Sequence, residues 1–346
     1  MKLPGLMTKV KALDSKILNE IDYQNLINTT SVTEIVEYLK NNTHYSKSFE
    51  NVEVSLLHRR DVEVLLRKSI LQDFYHIHFY LPIKEQKLFK LIVRRFEVEN
   101  IKFILRSLHA EHPEYVKKEK LFPVPYKTID LDSLISVKTF DDVLNVLRNS
   151  AYKSVIDSAY SNYQKTKKLQ YLLNTFDFWY FSLLKAEFEK SKEFKKNLSF
   201  LFFEQMDLIN VQWIYRAKVL FKLSREEVLN LLLPFSFKLT RNDIENLVNT
   251  ESVEDFINVI STSFYGKYFK NKDKNIFSYI IERICDKILL EDSKKLMANT
   301  MNGLFAMSGY LYLREYEYKD LVTLIEGKRY QIPNEKIRNF LLLAGE

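Results

Sequence analysis

Glu317 and Asp320 stand three residues apart in YLREYEYKDLVTLIEGKRYQIPNEKIRNFLL, residues 312–342. On a helix that spacing puts both carboxylates on one face. Two carboxylates so placed can divide acid and base work when their surroundings push their pKa values apart. Few other residues offer chemistry. His109 and His112, with Glu111 between them, could face one another as metal ligands, but they read better as a solvated helix end before Pro113. His76 and His78, two apart, point away from each other on a helix. Cys285 lies in the apolar run YIIERICDKILL and reads as a core thiol rather than a nucleophile. Gly327-Lys328 is followed by Arg and lacks the upstream glycine of a P-loop, and no GxGxxG occurs. YGKYFKNKDKN (265–275) interleaves aromatic and basic residues, as single-stranded nucleic acid requires, but it holds Asp273 and reads as a solvated loop between helices. No cofactor or metal is called for.

The elements that must position the acid pair are helices. The chain has 346 residues, of which 46% are apolar, with 6 Gly and 7 Pro. Tight turns and strand bulges draw on Gly and Pro, so a long chain with so few of them is helical. The net charge of +7 comes from 52 basic and 45 acidic residues spread along the chain. It allows an acidic partner without requiring one. The longest apolar stretch, Leu169 to Leu184, is too short to cross a bilayer and carries Asp177. The opening MKLPGLMTKVKALDSKIL lacks the apolar core of a signal peptide. A single cysteine fits a reducing compartment. A soluble or peripheral cytoplasmic protein is expected.

The acid pair is not alone. Glu97 and Asn100, Asp207 and Asn210, and Glu317 and Asp320 recur at 110-residue intervals. Apolar neighbours recur with them, as Val93, Ile101 and Ile104 return as Phe203, Val211 and Ile214, then as Leu313, Leu321 and Leu324. A second element repeats upstream of each pair: LINTTSVTEIVEYLKNNTHY from Leu26, LISVKTFDDVLNVLRNSAY from Leu134, and LVNTESVEDFINVISTSFY from Leu247. In each, Ser31, Thr139 or Ser252 sits where a helix N-cap belongs, an acid follows three residues later, and the segment ends in Tyr45, Tyr152 or Tyr265. Two linked elements in three copies indicate a triplicated chain.

Each repeat then reads as a short capped helix, a long helix (52–80, 151–190, 274–297), the pair-bearing helix (84–110, 194–221, 304–326) and a short closing helix. Ser224 with Glu227 forms a capping box for one closing helix, and Ile332-Pro333 opens its counterpart with Pro in the first turn. Joints are expected near KKEKLFPVPYK (117–127) and LLPFSFKLTRND (232–243). A catalytic site seldom needs three copies, and two of these pairs hold only one acid. The pair therefore reads as a hydrogen-bonded polar contact fixing helix register, with Arg94, Arg216 and Arg314 as possible partners. Gly303 and Gly309 in MNGLFAMSGYLYL would let two helices approach closely.

The C-terminal YLYLREYEYKDLVTLIEGKRYQIPNEKIRNFL, the middle FEQMDLINVQWIYRAK (203–218) and the N-terminal SVTEIVEYLKNNTHY (31–45) resemble the C subunit of V/A-type ATPases, which is similar to the d subunit of the eukaryotic vacuolar enzyme. The likeness spans nearly the whole chain. It departs at Asp320, where the other repeats have Asn, and is looser after Arg106. The resemblance implies an all-α fold of three similar helical-bundle domains, 1–122, 123–238 and 239–346, arranged with pseudo-threefold symmetry as a funnel. It implies a non-catalytic rotor part on the cytoplasmic face of the membrane. Its partners would be the D and F axle subunits and the proteolipid rotor ring, with no nucleic acid and no small-molecule substrate of its own. Such a part passes torque between ATP turnover and H⁺ or Na⁺ transport. The contact residues are not readable. The other readings are a helical-repeat scaffold for an unrelated protein or RNA, and an enzyme using Glu317 and Asp320.

Overall fold

The computed structural model describes residues 4–54, 57–122, 124, 128–166, 168–270 and 278–344. Among them all regular structure is helical. The first repeat holds α1 (Pro4–Asp14), α2 (Glu20–Asn28), α3 (Val32–Asn42), α4 (Arg59–His78) and α5 (Ile83–His109). The second holds α6 (Leu131–Ile135), α7 (Phe140–Arg148), α8 (Lys153–Thr166), α9 (Leu169–Glu189), α10 (Lys192–Asn197), α11 (Ser199–Tyr215) and α12 (Arg225–Leu231). The third holds α13 (Arg241–Val248), α14 (Val253–Ile260), α15 (Gly266–Phe269), α16 (Ser278–Asn299), α17 (Gly303–Arg329) and α18 (Asn334–Phe340).

The caps stand where the sequence puts them. The hydroxyls of Ser31, Thr139 and Ser252 accept the backbone N–H of Glu34, Asp142 and Asp255 at 3.2, 3.2 and 3.1 Å. Each satisfies one orphan donor of the first turn. The reciprocal bond of a capping box forms at Thr139. Glu34 instead reaches back one residue further, to the Thr30 N–H at 2.6 Å. Ser224 and Glu227 form the expected box. Pro333 is the N-cap of α18 rather than its first helical residue.

Three expected elements differ in detail. The helix expected over 52–80 begins only at Arg59. The one expected over 151–190 is two helices, α8 and α9. The one expected over 194–221 breaks at Leu198 into α10 and α11, and α11 widens into a π-turn over Arg216–Leu220.

By packing, the described chain forms two compact units, residues 1–157 with 293–346, and residues 158–292. The 122/123 and 238/239 divisions follow the repeats, whereas the packing units divide at 157/158 and 292/293. In the first unit one core joins the two ends of the chain. Tyr23, Leu26, Ile35, Leu39, Tyr45 and Phe49 from the start share it with Leu321, Leu324, Ile337 and Leu341 from the end. Each such large side chain contributes about 1.5–3 kcal/mol when fully buried. The core of the second unit is aromatic, with Phe188 against Phe202 and Tyr215 against Phe256, both at 5.2 Å between ring centres. Cys285 is fully buried there.

Gly309 marks a close approach of α17 to α16. A Cβ at this position would stand 2.6 Å from Met297 Cγ and 2.9 Å from the Ser293 carbonyl oxygen. Gly309→Val is therefore expected to destabilise the first unit by about 1–3 kcal/mol, the usual range for overpacking. Thermal unfolding would read it, and an unchanged midpoint would show that α16 yields freely.

Candidate functional site: three buried joints

The three pair-bearing helices, α5, α11 and α17, each bury their acid and the residue three positions on. Glu97, Asn100, Asp207, Asn210, Glu317 and Asp320 are all 2% exposed or less. Such groups must be hydrogen-bonded. Their partners are the segments that lead into and out of the repeats.

In the first joint, Glu97 accepts the Thr128 N–H at 2.8 Å, the Thr128 hydroxyl at 2.6 Å and the Ile129 N–H at 3.1 Å. The Tyr152 hydroxyl donates to the same carboxylate at 2.9 Å. In the second, Asp207 accepts the N–H groups of Phe237, Lys238 and Leu239 at 2.8, 2.6 and 3.0 Å, and the Tyr265 hydroxyl at 3.1 Å. In the third, Glu317 accepts the Leu18 N–H at 2.6 Å and the Tyr45 hydroxyl at 2.7 Å. The acid of each repeat thus holds the entry to another repeat, through backbone N–H groups and the tyrosine that ends its short capped helix. The acid of the third repeat holds the entry to the first.

The second member of each pair holds the exit. Asn100 donates to the Phe122 carbonyl at 2.9 Å and accepts the Phe122 N–H at 2.8 Å. Asn210 does the same with Leu233, at 3.1 and 2.8 Å. Asn210 also donates to the Phe235 carbonyl at 3.4 Å; an amide fits at both joints because each segment offers both a donor and an acceptor. At the third joint the chain tail offers two donors. Leu342 and Leu343 each direct an N–H at an Asp320 oxygen, both at 2.7 Å. Two donors call for two acceptors, which accounts for the Asp at this repeat.

The third joint also carries an ion network. Arg314 is fully buried. It donates to Asp73 and the Tyr45 hydroxyl, each at 2.8 Å, to the Ser69 hydroxyl at 3.0 Å, and to Glu317. The corresponding residues of the first two repeats are Arg94 and Glu204. Arg94 is near enough to act electrostatically on Tyr152. Arg216 pairs with Glu282. Arg314, one of the three arginines read as partners, donates directly to the acid of its own pair.

Burial and the adjacent Glu97 push the Tyr152 phenol far above its usual range. Burial and Asp207 do the same to Tyr265. Burial first raises Tyr45, with Arg314 opposing and Glu317 adding. All three phenols therefore keep their protons as donors. The Asp207 carboxyl is raised because burial outweighs its four donors.

His44 stands beside the third joint, with Nε2 3.6 Å from Glu317. Burial and then Arg314 lower its pKa below 6.5, against Glu317, Asp73 and the Lys16 backbone, which raise it. The folded state thus binds fewer protons than the unfolded one. The stability tied to neutral His44 is fully present above about pH 6.5 and is lost as the pH falls from there through the lower folded-state value, by at most about 1.4 kcal/mol per pH unit. His44→Gln should flatten this part of the stability profile in urea titrations. An equal slope in the variant would assign it to another group.

This geometry leaves the acids no room for acid–base turnover. Glu317 and Asp320 share a face, yet each is saturated by protein donors and neither is open to a substrate. His112 pairs with Glu114 at 2.9 Å, while His109 packs against the Phe140 ring. Among the described residues no group of three or more His, Cys, Asp or Glu is placed to hold a metal ion. Of the aromatic–basic stretch, residues 271–275 lie outside the described residues. The three tyrosines are visible in the repeat, but sequence reasoning assigns them no role. Their signal is that all three copies keep a hydroxyl at an apolar position, where a buried phenol needs a partner.

Among the described residues the chain is all-helical, and its repeats meet at buried polar joints. The family model described as "ATP synthase (C/AC39) subunit" matches residues 6–340, and the chain belongs to that family. It is 25% identical over 349 aligned positions to the A-type ATP synthase C subunit of Methanocaldococcus jannaschii, covering 96% of this chain and 84% of that protein. The same subunit from Methanosphaera stadtmanae is 22% identical, and that from Methanobrevibacter smithii 23%, each covering 96% of this chain and 86% of the relative. No described helix is long and apolar enough to cross a membrane.

Proposed function

We propose that the chain is the non-catalytic central-stalk subunit of a rotary V/A-type ATPase. In this reading it links the D and F axle subunits to the proteolipid ring on the cytoplasmic face of the membrane. It transmits torque between ATP turnover and H⁺ or Na⁺ movement. The observation that carries the reading is the set of three joints, in a chain belonging to the C/AC39 family. A torque-bearing adaptor must resist shear between its parts. Here every described connection between repeats is fastened to a buried carboxylate through two or more backbone N–H groups or a phenol. Charge-assisted bonds of this kind contribute about 1.5–3 kcal/mol each. The three repeats, 1–122, 123–238 and 239–346, are proposed as the three domains. Apolar anchors and charged faces at their exposed ends would grip the ring and the axle.

Affinity capture of the tagged chain from detergent-solubilised membranes tests this. Recovery of a small proteolipid with ATPase head and axle subunits, and ATPase activity in the eluate, is expected. Recovery of an unrelated protein or of RNA instead would replace the reading with that of a helical scaffold.

A further inference from the structure

A cavity of about 710 Å³ opens in the first unit beside the third joint. Its walls come from α1, the α1–α2 connection and the start of α2, from the end of α3 and the α3–α4 connection, from α4, and from Tyr310 of α17. Three lysines face it, Lys9, Lys16 and Lys47. Among the described residues none of their ammonium groups makes a hydrogen bond or ion pair. The two carboxylates on the walls are already engaged. Asp73 Oδ2 takes the Arg314 Nε–H and the Tyr310 hydroxyl, both at 2.8 Å. Asp22 takes the Tyr38 hydroxyl and the Asn19 N–H, both at 2.9 Å.

His44 also lines the cavity. Its side chain is 13% exposed, and neither ring nitrogen makes a well-formed hydrogen bond. A largely buried imidazole in that condition is an exception among folded proteins. Lys9 lies over the Tyr80 ring at 6.0 Å, so the cavity presents the Lys16 and Lys47 ammonium groups as uncommitted donors and no uncommitted carboxylate. Its volume falls within the 300–1,000 Å³ typical of small-ligand sites, and it is larger than a single orthophosphate needs.

We propose that this cavity binds a small phosphate-bearing anion with two or more charges, such as a di- or triphosphate or a multiply phosphorylated headgroup. Ammonium groups act as point charges on phosphate oxygens. Lys9, Lys16 and Lys47 supply three of these, and His44 adds a neutral N–H donor. The bound anion would touch segments of both the first and the third repeat, so it would tighten the joint between them. Because it binds only the folded chain, it raises the unfolding temperature of the first unit. This site lies outside the torque-linking role and does not depend on it.

Calorimetric titration of the full chain with tripolyphosphate is the test, supported by thermal unfolding with and without it. One saturable site is expected. The Lys16→Glu/Lys47→Glu variant should lose at least tenfold in affinity, whereas Lys336→Glu, at an exposed position of α18, should stay within twofold. Circular dichroism would confirm that both variants fold. Flotation with vesicles containing a phosphatidylinositol bisphosphate separates the two sources. Vesicle binding displaced by tripolyphosphate assigns a headgroup, and tripolyphosphate binding without vesicle binding assigns a soluble phosphate. Absence of saturable binding to either probe would overturn the proposal. So would equal losses in the cavity variant and Lys336→Glu, since that marks mere attraction to a cationic chain.

Discussion

Methionine in place of Arg314 is expected to destabilise the first unit by about 3–5 kcal/mol, the range found when one partner of a buried ion network is removed. The guanidinium is 0% exposed and satisfies Asp73, Tyr45, Ser69 and Glu317 together. Removing it leaves Glu317 charged with no cation against it, and takes one of the two donors from Asp73 Oδ2. Urea unfolding at pH 7 would read the loss. It should fall on the transition of the first unit if the two units unfold separately. The triple variant Arg314→Met, Asp73→Asn, Glu317→Gln should recover part of it, because buried neutral groups are cheaper to leave than buried charges. A loss below about 1 kcal/mol would mean that water replaces the guanidinium and that the network is not sealed.

The second large effect is expected at Asp207. Alanine there strands three backbone N–H groups, those of Phe237, Lys238 and Leu239, together with the Tyr265 hydroxyl. An unsatisfied buried donor costs about 1–3 kcal/mol, and the segment can relax toward solvent in part, so a total of about 3–5 kcal/mol is expected. Asp207→Asn keeps one acceptor and should lose roughly half as much. Tyr265→Phe removes a single bond and should cost about 1 kcal/mol. A double-mutant cycle between positions 207 and 265 separates the phenol contact from the backbone bonds. Additive losses would show that Tyr265 and Asp207 do not share an interaction.

The periodic elements were legible. Apolar positions at helical spacing located α5, α11 and α17 to within a few residues, and hydroxyls followed by acids located α3, α7 and α14. The acid pairs were legible as buried polar contacts because they interrupt an apolar stripe three times. Their partners were not. A side chain on one helix reads as facing another helix, but these face linkers, and hydrogen bonds to backbone N–H leave no trace in side-chain identity. The break between α8 and α9 was hidden because no Gly or Pro marks it. The π-turn at Arg216–Leu220 was hidden for the same reason. The Asp at 320 looked like a departure. Only the two donors of the chain tail explain it.

At the first two joints a single short linker supplies both exit and entry, so little chain separates the bonded groups. Glu97 and Thr128 are 31 residues apart. At the third joint the entry, Leu18, is 299 residues from Glu317. Closing a loop that much longer carries about 2 kcal/mol of additional chain entropy, by (3/2)RT ln(299/31). The charge network around Arg314 is of the size needed to offset it. The order of assembly follows. The two short-range joints need less chain to close, so they are expected to form before the contact between the two ends. A circular permutant joining the tail near Ala344 to Ile17, without α1, and opened within 123–127 would move that entropic burden to the first joint, where no Arg314 network stands against it.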